Sequence, residues 1–289
     1  MAHSSADRDR DGRLVVLGGG AGEGVRAKPQ GRVLLVGAGP GDPELLTIKA
    51  LKALEAADVV VHDRLTPEPI LALARRGARM IHVGKRKSRH SVPQDGINAL
   101  LVALAREGLQ VVRLKGGDPS VFGRVGEEIL ACREAGVECE VIPGISAALA
   151  AAAAVGAPLT HRGLAQAVTL VTGHAAPKAD GEGYAEPNLD WAALARANQT
   201  VVVYMGLSTA PDVAARLVDA GRAASTPVVV VENASLPHER RIKATLASLA
   251  QAVEGLEGPA ILIIGESAAL AVVERAAPAA DAAPSERRA

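Results

Sequence analysis

Short runs of β-branched residues alternate with helical stretches along most of this chain, and the alternation limits the possible folds more than any other feature. In the first half, two stretches carry apolar residues spaced three and four apart, at Leu45–Ala57 and Ile97–Arg106. Alternation of this kind predicts a mainly parallel sheet with helices on both faces. Buried strands are predicted before and after these two helical stretches, at Val33–Val36, Val59–Val61, Met80–Val83 and Val111–Leu114.

A second series of the same kind follows an alanine-rich run that begins at Ala147. The predicted fold class is therefore α/β, with two α/β domains at residues 31–153 and 154–275 and a cleft where they meet. The polar, glycine- and alanine-rich ends, residues 1–30 and 276–289, are predicted to be disordered tails. The second series comprises strands at Val168–Val171, Val201–Tyr204, Val228–Val231 and Ile261–Ile264, with helices near Asp212–Ala220 and Leu246–Val253.

Composition argues against several classes of partner. The formal net charge is zero, and four aromatic residues are too few for a surface that stacks nucleic-acid bases. No apolar run is long enough to cross a membrane, and the N-terminus lacks the apolar core of a secretory signal, so we expect a cytoplasmic protein. Cys132, Cys139 and the histidines lack metal-ligand spacing, so no metal site is predicted.

The charge is unevenly distributed. Between residues 61 and 124 the chain has twelve Lys and Arg residues against five Asp and Glu. A neutral protein with one basic region favours a small or medium-sized anionic ligand. Within this region, Gly84–His90 places four cations and a histidine in seven residues, which repel one another unless a polyanion is near. A solvated basic loop is the alternative interpretation.

Two glycine-rich turns follow predicted strands. The first, Gly37–Pro43, has Asp42 where a dinucleotide-binding loop has its third glycine, so it is a poor pyrophosphate cradle. The second is Gly116–Pro119. Two such turns at strand ends indicate a pocket that the backbone approaches closely. Asp118 could accept hydrogen bonds from a ribose or an amino group, or could cap a following helix.

A series of motifs, in order along the chain, resembles the tetrapyrrole methylase family from about Gly31 to Gly265. The Asp-Arg-Leu, Gly-Lys-Arg and Thr-His-Arg elements narrow the resemblance to the uroporphyrinogen-III C-methyltransferases within it. The motifs are VGAGPGDP at 36–43, LLT at 45–47, HDRL at 62–65, VGKR at 83–86, RLKGGDPSVFGR at 113–124, VIPGISA at 141–147, PLTHR at 158–162, VTGH at 171–174, YMG at 204–206 and VEN at 231–233.

The resemblance implies two unlike α/β domains, a homodimer, and S-adenosyl-L-methionine bound between the domains. It also implies that Asp63 accepts a proton and Lys85 donates one during catalysis. The family often has glycine at the position of Ala234, so this chain adds a methyl group there. The cofactor-binding positions implied are Pro40, Gly116, Gly117, Asp118, Val121, Ser146, Ala147, Met205 and Ala234.

The implied reaction is transfer of two methyl groups to uroporphyrinogen III, at C2 and C7, giving precorrin-2 by way of precorrin-1 and two S-adenosyl-L-homocysteines. The substrate carries eight carboxylates, which guanidinium groups bind well. A later precorrin C-methyltransferase and a non-catalytic anion-binding protein are the rival interpretations. For Asp63, a strand-end cap or an ion pair with Arg64 is the alternative role. The candidate substrate-binding residues are Arg64, Arg86, Arg89, His90, Arg113, Lys115, Arg124, His161 and Arg162.

Overall fold

The computed structural model describes residues 31–84, 92–174 and 187–274, together with a short antiparallel pair, β1 (Asp7–Arg8) and β2 (Leu14–Val15). Apart from that pair, the predicted disordered tails lie outside the described residues. The predicted proton donor Lys85 and most of the basic segment Gly84–His90 lie outside them as well.

The first sheet and its helices comprise β3 (Arg32–Gly37), α1 (Ile48–Ala56), β4 (Val59–His62), α2 (Glu68–Leu71), β5 (Arg79–His82), α3 (Gln94–Arg106), β6 (Gln110–Lys115), α4 (Val125–Glu134) and β7 (Glu138–Ile142), with a 3₁₀ turn at Pro43–Leu45. The five strands are all parallel, in the order β5-β4-β6-β3-β7. The helices cover both faces of the sheet, as the alternation predicts, and successive residues of a strand point to opposite sides. Val33 and Leu35 pack towards α3 and α4, whereas Leu34 and Val36 pack towards α1 and α2.

The second sheet and its helices comprise α5 (Ala147–Val155), β8 (Ala167–Thr172), α6 (Trp191–Leu194), β9 (Gln199–Tyr204), α7 (Ala210–Asp219), β10 (Pro227–Glu232), β11 (Arg240–Thr245), α8 (Leu249–Ala252) and β12 (Ala260–Ile264), with 3₁₀ turns at Leu246–Ser248 and Glu266–Leu270. The sheet is mixed, with the order β11-β10-β12-β9-β8. Only β8 and β9 run parallel, and the three other pairings are antiparallel. Val201 and Val203 face α7, and Val202 and Tyr204 face α5.

Several local predictions need adjustment. Asp42 does cap a helical turn, accepting a hydrogen bond from the Glu44 N–H, but that turn is 3₁₀ and α1 begins only at Ile48. The suggestion that Asp118 caps a helix is wrong, because α4 starts seven residues later with Arg124 at its N-cap. The predicted boundary at residues 153 and 154 falls inside α5, whose buried face packs on the second sheet.

Candidate active site

A cavity of about 550 Å³ lies between the two sheets, within the usual size range of small-molecule sites. One wall is formed by residues that follow β3, β4 and β6, at the carboxyl ends of these parallel strands. Open parallel sheets usually bind ligands at this edge. The opposite wall comes from the ends of β9 and β10 and the start of β12.

The two glycine-rich turns meet in this wall. The Gly39 N–H donates to the Gly117 carbonyl at 3.2 Å, and the Gly117 N–H donates back to the Gly39 carbonyl at 2.6 Å. The Gly144 backbone packs against them so closely that a Cβ on Gly144 would lie 2.4 Å from the Gly117 oxygen. Only glycine fits such an approach, and the wall there is bare backbone.

Asp118 joins two loops of the wall. Its Oδ1 accepts a hydrogen bond from the Ser120 N–H at 2.8 Å, and its Oδ2 accepts one from the Gly144 N–H at 3.0 Å. The carboxylate lines the cavity. Each oxygen keeps a lone pair, so Asp118 can still accept a hydrogen bond from a ligand.

Tyr204, at the end of β9, connects the second sheet to the start of α5. Its hydroxyl is hydrogen-bonded to the Ser146 hydroxyl and accepts from the Ala148 N–H at 3.1 Å. The Phe122 ring lies against the tyrosine ring, with 5.0 Å between ring centroids. Ser146, Tyr204 and Phe122 all line the cavity.

Asp63 lies just after β4, with its side chain partly exposed at the cavity. Its Oδ1 accepts from the Leu65 N–H at 3.0 Å, which is the local turn that aspartate favours. Its Oδ2 pairs with Arg113 Nη2 at 3.3 Å, so the observed ionic partner is Arg113 rather than the suggested Arg64. Arg64 itself is exposed and lines the cavity.

Behind Arg113 lies a fully buried acid, Glu128 of α4. Glu128 Oε1 accepts from Arg113 Nε at 3.1 Å, and both of its oxygens accept from Lys115 Nζ at 2.9 Å. Arg113 and Lys115 are themselves buried. Two of the nine candidate substrate-binding residues, Arg113 and Lys115, therefore already have an internal anionic partner.

Burial shifts two pKa values in this region. The pKa of Lys115 lies below its ordinary value mainly because burial disfavours the ammonium, and the Arg113 charge adds to this while Glu128 opposes it. The pKa of His62 is also lowered, chiefly by burial and further by the charges of His82 and Arg113, while its contacts with Asp63 oppose the shift.

All nine predicted cofactor positions line the cavity, as does Asp63. Among the predicted substrate-binding residues, Arg64, Arg113, Lys115 and Arg124 line it as well. His161 and Arg162 do not: they are exposed on the turn before β8, where His161 bridges to Ala165. Lys85, Arg86, Arg89 and His90 lie outside the described residues.

Sequence reasoning missed several cavity residues and their support, notably Glu128, Gln94 and the hydroxyl contacts of Tyr204. Backbone conformation distinguishes further residues that lie within the quoted motifs. Four non-glycine residues at the cavity have positive φ, a conformation that clusters at functional sites. They are Phe122 (53°), Arg124 (56°), Met205 (52°) and Asn233 (54°).

Within the described part of the chain, no group of three or more His, Cys, Asp or Glu side chains is placed to hold a metal ion. The helices that the structure describes include none with the length and apolarity needed to span a bilayer.

Comparison with known proteins identifies a family for the chain. A family model for Tetrapyrrole (Corrin/Porphyrin) Methylases matches residues 32–250. The chain is 53% identical over 243 residues to a siroheme synthase of Chromobacterium violaceum, covering 83% of this chain and 50% of that protein. A siroheme synthase of Azotobacter vinelandii is 50% identical over 245 residues, covering 84% of this chain and 51% of that protein. The chain thus spans about half the length of these relatives.

Two solved structures are similar over nearly their whole length. Uroporphyrin-III C-methyl transferase from Thermus thermophilus, complexed with S-adenyl homocysteine, is 44% identical with a TM-score of 0.69 and covers 83% of this chain and 100% of that one. A cobalt precorrin-4 methyltransferase is 30% identical with a TM-score of 0.71, covering 82% of this chain and 95% of that one.

Proposed function

The chain belongs to the tetrapyrrole methylase family, and from that premise we propose that it transfers methyl groups from S-adenosyl-L-methionine to ring carbons of uroporphyrinogen III. The observation that carries the proposal is the cavity between the sheets. It combines a glycine-built backbone wall with a carboxylate, Asp63, and an exposed cation, Arg64.

The cavity suits the methyl donor. The contacts among Gly39, Gly117 and Gly144 leave no side chain in this wall, so a ligand can approach the backbone closely. Asp118 and Ser146 offer acceptor and hydroxyl groups for the polar parts of the ligand, while Ala147 and Met205 offer apolar surface. When bound, the donor supplies an electrophilic methyl group and leaves as S-adenosyl-L-homocysteine.

The substrate class rests on charge. A tetrapyrrole with eight carboxylates needs several cations at the rim of the site, and Arg64 and Arg124 are both exposed and line the cavity. Arg124 is held bidentately by Glu127, with both contacts at 2.7 Å, which raises the pKa of Arg124 through that hydrogen bond. Arg64 has no carboxylate partner among the described residues, so a substrate carboxylate can take that place.

In the proposed mechanism, Asp63 accepts the proton that the macrocycle loses after a ring carbon has been methylated. Methylation makes that ring carbon quaternary and leaves the macrocycle with one positive charge, and loss of a proton from another position of the macrocycle returns it to neutrality. Asp63 is fixed by the Leu65 N–H and by Arg113, yet keeps part of its carboxylate open to the cavity. Positioning of the two reactants contributes most of the remaining rate enhancement.

We further propose two successive transfers, at C2 and C7, giving precorrin-2 for sirohaem or cobalamin synthesis. The test is anaerobic incubation of the purified protein with uroporphyrinogen III and S-adenosyl-L-methionine, followed by mass analysis of the tetrapyrrole. We expect a gain of two methyl groups. A product that stops at one methyl group would contradict the double transfer, and methylation of precorrin-2 alone would favour a later precorrin methyltransferase.

We propose a homodimer as well. Leu149 of α5 is 58% exposed, and beside that helix Leu270 and Val272 are 45% and 60% exposed. The Val272 N–H donates to the Val155 carbonyl at the end of α5, which places Val272 beside that helix. Large exposed apolar side chains, where they are contiguous, mark protein interfaces. Light scattering that gives the mass of one chain across micromolar concentrations would contradict it.

A further inference from the structure

Glu128 is a buried carboxylate that holds two buried cations at the base of the cavity. Its side chain has no solvent exposure, whereas those of Arg113 and Lys115 are each about 5% exposed. A buried carboxylate is costly unless it is paired and hydrogen-bonded, and here both oxygens are used. Gln94 Nε2 lies 3.4 Å from Oε1 and completes the shell.

Arg113 connects Glu128 to Asp63, which lies at the cavity. Its Nε donates to Glu128, its Nη1 donates to the carbonyl of Leu114 at 2.9 Å, and its Nη2 donates to Asp63 Oδ2 at 3.3 Å. The guanidinium is planar and rigid, so fixing one edge fixes the direction of the other. Glu128 therefore determines where Arg113 places its contact with Asp63.

Lys115 is the second buried cation that Glu128 binds. Its ammonium is held by both Glu128 oxygens and so is kept away from Asp63. Without Glu128, two buried cations would face a single carboxylate, Asp63, within this cluster. Arg113 and Lys115 would then compete for Asp63, and its orientation would no longer be set by Arg113 alone.

We propose that Glu128 is a positioning residue for the methyl-transfer reaction: it orients Asp63 through Arg113 and sequesters Lys115. This inference rests on the proposed function of Asp63. A purely structural role would require only that the four charges neutralise one another. The positioning role requires in addition that the effect of Glu128 on turnover passes through Asp63.

The test compares Glu128→Asp with Glu134→Gln, which changes an exposed glutamate on the same helix. Active sites are counted by S-adenosyl-L-homocysteine binding, so that loss of folded protein does not enter kcat. Glu128→Asp keeps the charge but is one methylene shorter, so it cannot hold both cations as Glu128 does. We expect it to lower kcat about 10- to 100-fold with an unchanged KM for S-adenosyl-L-methionine, and we expect Glu134→Gln to match the wild type.

A double-mutant cycle with Asp63→Asn provides the second readout. If Glu128 acts through Asp63, Glu128→Asp costs little further activity in the Asp63→Asn background. Equal losses in both backgrounds, or a kcat per site within twofold of the wild type for Glu128→Asp, would overturn the proposal. Wild-type turnover reports on the proposed function separately. Should the wild type methylate a different tetrapyrrole, the cycle is run on that substrate with the same two outcomes.

Discussion

Asp118 and Gly144 are joined by a hydrogen bond, from the Gly144 N–H to Asp118 Oδ2 at 3.0 Å, that ties the loop after β6 to the loop after β7. The backbones of the same two loops are also in contact, where Gly144 packs against the Gly117 carbonyl. Asp118 therefore holds the two loops in place through its hydrogen bonds. Gly144 has no side chain and lets the loops come close enough to form the cavity wall.

Substitution Asp118→Ala should weaken cofactor binding and lower stability together. The partly buried Gly144 N–H would lose its acceptor, which costs about 1–3 kcal/mol in the free energy of unfolding. We expect the Kd for S-adenosyl-L-homocysteine, measured by calorimetry, to rise about tenfold or more. Asp118→Asn serves as the graded control, because its amide oxygen can keep one of the two backbone contacts. Unchanged affinity in Asp118→Ala would exclude this role.

Substitution Gly144→Ala should destabilise the protein by steric conflict. Its Cβ would lie 2.4 Å from the Gly117 oxygen and 2.9 Å from the Gly37 Cα, all backbone atoms that cannot move aside locally. We expect the free energy of unfolding in urea to fall by about 1–3 kcal/mol.

The matched control is Gly126→Ala in the first turn of α4. A Cβ on Gly126 meets nothing within 4 Å, so this variant should be neutral or more stable by up to about 1 kcal/mol. Equal behaviour of the two variants would show that the close approach at Gly144 is unimportant.

Much of the fold could be predicted, because β-branched runs report buried strands directly. All eight predicted strands are present within two residues of their predicted ends. Besides the short pair β1 and β2, the strands that were not predicted are β7 and β11. β7 contains two glutamates, and β11 contains two arginines and a lysine. Both lie at sheet edges, where only part of each strand is buried. The antiparallel pairings in the second sheet could not be predicted, since strand direction depends on the loops and not on the composition of the strands.

The cofactor motifs and the basic residues were visible in the sequence, but how the charges pair was not. From the sequence, Arg113 and Lys115 are candidate substrate-binding cations next to a glycine-rich turn. The structure assigns both of them to Glu128, thirteen to fifteen residues away on α4. No spacing rule reveals that pairing, because it depends on how α4 packs across the sheet. Buried acids of this kind become recognisable only once the helix and the strand are brought together.

The lowered pKa of His62 predicts how the stability of the protein depends on pH. Burial lowers the pKa of the His62 imidazole below the ordinary value of 6.5, so the imidazole binds a proton more tightly in the unfolded chain than in the folded protein. Stability should therefore fall as the pH drops from 6.5 towards the lower pKa of the folded state. In urea titrations between about pH 5 and 8, His62→Gln should show a shallower loss on acidification. His174→Gln, at an exposed histidine, should retain the wild-type slope.

Removal of the Tyr204 hydroxyl should disturb the start of α5 while leaving the core packed. In Tyr204→Phe the contact of the ring with Phe122 remains, but the Ala148 N–H and the Ser146 hydroxyl both lose a buried partner. We expect a loss of about 1–3 kcal/mol in stability and weaker S-adenosyl-L-homocysteine binding. Ser146→Ala should cost less stability, because the tyrosine hydroxyl would still accept from Ala148. The reverse order would contradict this account of the contacts.

Substitution of Arg64 should affect binding of the tetrapyrrole but not binding of the methyl donor. It is exposed at the cavity and next to Asp63, so its guanidinium is free to take a substrate carboxylate. We expect Arg64→Ala to raise KM for uroporphyrinogen III about tenfold, the usual size of one charge-assisted hydrogen bond, while the affinity for S-adenosyl-L-homocysteine stays the same.

The control for this variant is Arg76→Ala, at an exposed arginine that does not line the cavity. Arg64→Lys should give an intermediate KM, because lysine keeps the charge but not the two-pronged geometry. Raised salt should narrow the difference between wild type and Arg64→Ala, since screening weakens an exposed ion pair. A KM for uroporphyrinogen III that is equal in Arg64→Ala and Arg76→Ala would assign the substrate carboxylates to other cations of the chain.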